Sequence, residues 1–276
     1  MGITESDFCR KFSKSSYTPR LKMSSVVVFL LSSFLIALAW AGPTGRIVGG
    51  ETAVEGQFGH QISLRVYKSH NCGGSIISKR DVVTAAHCVV TGYSNDLTVR
   101  AGSKNRFSGG VIMRVESIQV HADYGDFLND VALLKLDSDL IFSEFIQPIA
   151  LASAETPAGS DVVISGWGRI KTGGEIPTEL KFNTLKAISK LTCALKIQSY
   201  EDSLLCLDHN AGDGACNGDS GGPAVWNNEL VGVAGFVVGG CGSNNPDGYA
   251  KIFYHREWIE ERSEVKSTGK IAFNAA

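Results

Sequence analysis

The sequence carries no excess of either charge: 26 lysines and arginines stand against 28 aspartates and glutamates, a formal net charge of −2. With no surplus of cations to neutralise phosphates, a nucleic-acid partner is not expected. No Cys-x-x-Cys pair occurs, which removes the usual spacing of a structural zinc site, and no metal or other cofactor is expected. No Asn-x-Ser/Thr triplet occurs, so N-glycosylation is not expected. Long apolar runs are also scarce. Val26 to Leu38 is interrupted by Ser32 and Ser33, and it falls short of the roughly 20 residues that span a bilayer. From Ile47 onward there is no linker, repeat or low-complexity tract.

What is present starts with that apolar run. Lys22 precedes it and Ala39-Trp40-Ala41 follows it. A basic flank, a short apolar core and a small-x-small end describe a secretory signal peptide. Residues 1–41 are therefore assigned to an extension plus signal, with Met23 as the expected start and cleavage after Ala41. The mature chain is expected to be secreted, without stable membrane association. An uncleaved run would instead tether it.

Removal of this segment takes Cys9 with it and leaves six cysteines, Cys72, Cys88, Cys193, Cys206, Cys216 and Cys241. Six in an exported chain imply three disulfides, with every pairing open at this point.

Glycine is plentiful, at 31 residues, and the apolar stretches are short and separated by Gly, Asn and Asp. That pattern reads as many strands joined by turns. Twelve strands are expected, from Gln61–Tyr67 to Gly248–Lys251, with a short helix at Thr192–Gln198 and a terminal one at Phe253–Ser263. The fold class is all-β, and a dozen strands suit two six-stranded antiparallel barrels followed by a C-terminal helix.

Three segments carry reactive residue types. Gly218-Asp219-Ser220-Gly221-Gly222-Pro223 holds a serine among glycines, a pattern that alone is most often a turn. Thr84-Ala85-Ala86-His87-Cys88 places a histidine just after an apolar strand, and Asn129-Asp130-Val131-Ala132-Leu133-Leu134 places an acid at the mouth of a buried one. Serine is a weak nucleophile until a base takes its proton, and that base needs a carboxylate to orient it and to stabilise its cation. His87, Asp130 and Ser220 are the candidates. Asp123, Asp126 and Asp137 compete less well with Asp130, since only Asp130 immediately precedes the buried run. His60, His70, His121, His209 and His255 lack comparable surroundings and are expected to be structural or superficial.

The segments Ile47-Val48-Gly49-Gly50, TAAHC, DVALL and GDSGGP, in this order, resemble the chymotrypsin–trypsin family of serine proteases over Ile47 to about Glu261. The resemblance implies two Greek-key barrels, a peptidase domain over residues 47–276 and an activation propeptide over residues 42–46. It implies His87 as base, Asp130 as its orienting acid, Ser220 as nucleophile, and an oxyanion hole from the N–H groups of Gly218 and Ser220. It further implies pairings Cys72–Cys88, Cys193–Cys206 and Cys216–Cys241. Cleavage of Arg46-Ile47 by a trypsin-like activating protease would create an amine that pairs with Asp219. Protein or peptide substrates and protein inhibitors are the expected partners of a monomer.

Counting from the cysteines puts Gly214 at the pocket base and Asp247 on its wall. The resemblance implies Phe236, where the family usually carries a tryptophan, as the platform beneath the extended substrate, and Val237, where most relatives have a glycine, as narrowing the entrance. That set resembles the brachyurin-type digestive proteases, which implies broad selectivity with apolar, aromatic and some basic residues accepted. Gly235 stands where the family usually carries a serine that donates to the catalytic acid, and the loop Ala101–Gly110 lacks the glutamates of a calcium site. A non-catalytic or cascade-type homologue acting by protein binding is the alternative reading.

Overall fold

The computed structural model describes residues 47–90, 96–199 and 201–265. The expected signal segment and the propeptide, Arg46 included, lie outside the described residues.

The chain begins with a two-residue strand β1 (Glu51–Thr52) and then builds a closed barrel from β2 (Gln61–Val66), β3 (Ser69–Ile76), β4 (Asp81–Thr84), β5 (Leu97–Ala101), β6 (Val111–Val120) and β7 (Ala132–Leu136). Its order around the ring is β2-β3-β4-β7-β6-β5, with every neighbouring pair antiparallel. Ile62, Leu64, Ile76, Val82, Val99 and Leu134 share its inward face and are fully buried, while Val83 and Leu133, paired with each other, are buried on the opposite face. Each such side chain contributes about 1.5–3 kcal/mol on leaving water.

The second half holds β8 (Ala150–Leu151), β9 (Asp161–Gly166), β10 (Lys181–Ala187), β11 (Leu204–Asp208), β12 (Pro223–Trp226), β13 (Glu229–Phe236) and β14 (Asp247–Lys251). Six of these close on themselves through β10-β11-β14-β13-β12-β9 and back to β10, while β1 and β8 pair at the margins. The expectation of two six-stranded barrels is met. The two marginal strands are too short to leave a period in the sequence.

Helix α1 (Lys190–Ile197) is capped by Ser189, whose hydroxyl accepts the Thr192 N–H. Helix α2 (Ile252–Arg262) closes the chain, burying Ile252, His255 and Ile259 at helical spacing. Beyond α2 the chain reaches back to the first barrel. The Glu264 N–H donates to the fully buried Asp81 carboxylate at 2.8 Å, and Lys135 bridges Asp81 and Glu264. Three disulfides join Cys72–Cys88, Cys193–Cys206 and Cys216–Cys241. Among the described residues no helix is long and apolar enough to cross a membrane.

The barrels meet at glycines. A side chain on Gly73 would strike the Gly222 backbone, and one on Gly221, whose φ is +76°, would strike Thr84 and the Gly73 carbonyl. In their absence Gly73 donates its N–H to the Ser220 carbonyl at 2.7 Å. β3 begins at Ser69 rather than at the expected Gly74, because this paired edge is polar and glycine-rich and so lacks the apolar alternation that marks strands in sequence.

Candidate active site

The first barrel supplies His87 and Asp130. The buried strand β4 ends at Thr84 and passes into a single 3-10 turn over Ala86–Cys88, which turns His87 toward the seam between the barrels. Asp130 sits just before β7, held by a tight turn in which the Val131 N–H bonds to the Asn129 carbonyl. Its carboxylate is almost wholly buried and accepts twice from one residue: Nδ1–H of His87 at 2.6 Å and the His87 backbone N–H at 2.9 Å. Both ring orientation and tautomer follow, since a carboxylate at Nδ1 requires the proton there and leaves Nε2 as the acceptor. No hydrogen bond joins Nε2 to Ser220 in this structure; such bonds in unliganded sites are often long and tighten when substrate binds.

The second barrel supplies Ser220 from the loop between β11 and β12. Two peptide planes around it are fixed by their carbonyls. The Asn217 carbonyl accepts the Arg169 N–H at 2.9 Å, and the Asp219 carbonyl accepts the Gly222 N–H at 2.9 Å. In a trans peptide the N–H points opposite to the C=O, so the N–H groups of Gly218 and Ser220 are aimed by these bonds. Neither has a partner among the described residues. Gly218 has φ +102°, a conformation that suits glycine. Its own carbonyl accepts Nε2–H of His70 at 3.0 Å, while Nδ1 of His70 accepts the Ser63 hydroxyl. Burial lowers the His70 pKa to about 4, so this histidine is a neutral strut, as its plain sequence setting suggests.

Asp219 is buried and accepts N–H groups from Gly168 at 2.7 Å and Cys216 at 2.9 Å. Burial raises its pKa to about 7 against those two donors. Ile47 is fully buried, and Val48 pairs with Gly214.

A cavity of about 50 Å³ opens beside Ser220, lined by Ala215, Cys216, Ala234, Phe236, Val237 and Gly248 among others. Phe236 and Val237 are thus among the residues that line it. The Phe236 ring lies over Gly248, where any Cβ would come within 2.4 Å of it. Phe127 packs its ring 5.9 Å from His87 and 6.0 Å from Phe236, joining the two in one aromatic cluster. Gly235 lies beside the Asp130 carboxylate, its missing Cβ 3.6 Å from Oδ2.

Two pocket residues differ from the expectation. Asp247 was read as a wall carboxylate facing an incoming side chain. It is instead buried, accepting the Ala215 N–H at 2.6 Å through Oδ2, with Oδ1 3.3 Å from Nε2 of His209. Gly214 is not among the lining residues; it closes over that pair, and a Cβ there would meet His209 Nε2 at 2.6 Å and Asp247 Oδ2 at 2.7 Å. His209 was expected to be superficial or structural. The readable trace was the bare glycine at 214 itself, which makes room for an imidazole no count from the cysteines reveals.

Similarity to known proteins agrees with this geometry. The sequence pattern of the family described as Trypsin matches residues 47–259. Serine protease SP24D of Anopheles gambiae is 46% identical over 219 residues, covering 78% of this chain and 80% of that protein. Trypsin delta of Drosophila erecta is 39% identical over 246 residues, covering 84% and 97%. Chymotrypsin-2 of Vespa crabro is 37% identical over 218 residues, covering 78% and 99%. Among solved structures, neuropsin, a serine protease expressed in the limbic system of mouse brain, superposes with a TM-score of 0.74 at 26% identity, covering 78% of this chain and 99% of its own.

Proposed function

Because the chain belongs to the trypsin family and is a serine endopeptidase, we propose that Ser220, His87 and Asp130 carry its hydrolysis and that Gly218 and Ser220 supply the oxyanion hole. Ser220 Oγ attacks the scissile carbonyl while His87 Nε2 takes its proton, and Asp130 stabilises the resulting imidazolium. The negative oxygen is received by the Gly218 and Ser220 N–H groups. Collapse transfers the Nε2 proton to the leaving amine and leaves an acyl-enzyme, which water opens by the same steps in reverse. The observation that carries this reading is the pair of unspent, pre-aimed N–H groups beside Ser220, opposite a histidine whose outer nitrogen is left as acceptor. Donors fixed before charge develops cost no reorganisation in the transition state.

The chain is made as a secreted zymogen and activated at Arg46-Ile47. The freed amine of Ile47 pairs with Asp219, whose burial raises its pKa against two backbone donors, so that a cation beside it would stabilise its charge. Ala215, Ala234, Phe236 and Val237 on the cavity walls favour apolar and aromatic residues before the cut, with arginine and lysine secondary, and such breadth suits digestion. The test is labelling by a fluorophosphonate. The cut chain should label strongly, the uncut chain weakly and Ser220→Ala not at all; a cut chain that stays unlabelled would refute the assignment.

A further inference from the structure

His209 stands behind the pocket wall with Nδ1 hydrogen-bonded and Nε2 buried beside a carboxylate without a hydrogen bond of its own. Nδ1 donates to the Asn210 carbonyl at 2.9 Å, and Nε2 lies 3.3 Å from Asp247 Oδ1, within ion-pair range though off line for a good hydrogen bond. Its side chain is 1% exposed and that of Asp247 3%. A carbonyl at Nδ1 obliges that nitrogen to keep its proton. A neutral ring would then turn the Nε2 lone pair toward a buried carboxylate, whereas a second proton there makes an ion pair. Asp247 also holds the backbone of Ala215, which lines the cavity, so the charge state of the pair is sensed one peptide from the bound side chain.

We propose that His209 is a specificity-determining residue: as a cation it neutralises Asp247 through the wall of the pocket and biases cleavage away from basic residues. This rests on the peptidase reading above. An unpaired carboxylate behind Ala215 would attract an arginine or lysine side chain, and the imidazolium cancels that attraction. Apolar side chains bind the walls and do not sense the balance. Losing the His209 proton then exposes the Asp247 charge and tips selectivity toward basic residues.

The groups facing His209 make Asp247 its governing neighbour. Asp208, Asp213, Asp161 and Lys186 line the cleft on its outer side. Asp208 is paired with Lys196 at 2.8 Å and Asp161 with Lys186 at 2.6 Å, which offsets their fields. On the inner side Asp219 and Tyr249 feel Asp247 as well. Burial pulls the His209 pKa down, but the Asp247 carboxylate and the Asn210 carbonyl outweigh it and hold the ring above the usual histidine value.

The experiment uses the activated full-length enzyme and peptides that differ only before the cut, carrying phenylalanine, leucine, arginine or lysine. The reading is the ratio of kcat/KM for basic over apolar peptides across about pH 5 to 9, the range in which a histidine titrates. Any pH effect on the shared chemical step acts on all four peptides alike and cancels in the ratio. In the parent enzyme the ratio should rise with pH. In His209→Gln it should be flat and roughly tenfold above the parent at low pH, the size of one charge interaction worth about one pKa unit. In Asp247→Asn it should stay low throughout. A parent ratio independent of pH, or a His209→Gln ratio equal to the parent's, overturns the proposal while leaving the peptidase reading intact. Absence of turnover on every peptide overturns both. The parent profile needs no variant to fold.

Discussion

Two buried aspartates meet a histidine on either side of Ser220, and the two pairs are connected in opposite senses. In the first barrel His87 gives Nδ1–H to Asp130 and leaves Nε2 as acceptor, with 23% of its side chain exposed. In the second barrel His209 gives Nδ1–H to a backbone carbonyl and turns Nε2 to Asp247, with 1% exposed. On the proposed reading the same two residue types thus yield a base in one case and a titratable charge in the other. The difference is which nitrogen the backbone claims. A histidine whose outer nitrogen faces an open site can move a proton during turnover, while one whose second nitrogen is shut in beside a carboxylate can only hold or lose its charge as pH changes.

Breaking the first pair should have the largest effect. Ser220→Ala or His87→Ala is expected to lower kcat on the order of 10⁴- to 10⁶-fold, as loss of a residue in such a unit does, with the thermal midpoint little changed. Near-full turnover in either variant would show that another group is the nucleophile or base.

The next effect lies between the pairs, at Asp219. After cleavage before Ile47, Asp219→Asn should cost on the order of 10²-fold or more in kcat, comparable to losing an oxyanion donor. The uncut parent offers a second measurement. Its Asp219 has a folded pKa near 7, raised by burial above the usual carboxylate value of 3.8. The folded form therefore binds more protons than the unfolded one between those values, and stability falls as pH rises through that window. Denaturant titrations of uncut chain should show this fall, and cut chain, with its new amine as partner, should show less of it.

Smaller effects come from the two glycines that border the pairs. Gly214→Ala adds a Cβ within 2.7 Å of both His209 and Asp247 at φ +105°. It should destabilise by about 1–3 kcal/mol, as overpacking does, seen as a lower midpoint in urea; an unchanged midpoint would mean the second pair is loosely held. Gly235→Ser sharpens the first pair instead, placing a hydroxyl beside Asp130 Oδ2. One more bond to a carboxylate is worth about 1.5–3 kcal/mol at best, and crowding at the Gly248 carbonyl, 3.2 Å from the new Cβ, offsets part of it. A rise in kcat of less than about tenfold is expected, and a large fall would show that Asp130 has no room for a third donor.

The first pair was legible in the sequence and the second was not. His87 and Asp130 each adjoin a buried apolar run, Val82-Val83 before one and Val131-Ala132 after the other, so local pattern located them at strand ends. Counting from Cys241 pointed to Asp247, but as a carboxylate on the pocket wall, and its partner His209 comes from the loop after β11. Side-chain direction was also hidden. Asp247 pairs in register with Leu207, and which way its carboxylate turns depends on the Ala215 N–H, a tertiary fact. Phe127 escaped because a turn-rich loop gives no period from which exposure or packing follows. Barrel count, the helices and most strand limits came through, since buried β-branched runs carry their own signal.

The bond from Glu264 to Asp81 spans 183 residues and sets the order of synthesis against the order of assembly. All strands of the first barrel are translated once Leu136 is made, well before the last β-strand of the second. Yet Asp81 at its edge receives the Glu264 N–H, and Lys135 its second carboxylate, only when residue 264 has left the ribosome. A nascent chain halted before that residue would hold its earlier-made barrel one hydrogen bond and one ion pair short, so the barrel that carries His87 and Asp130 is completed only by a residue made after the strands of the second.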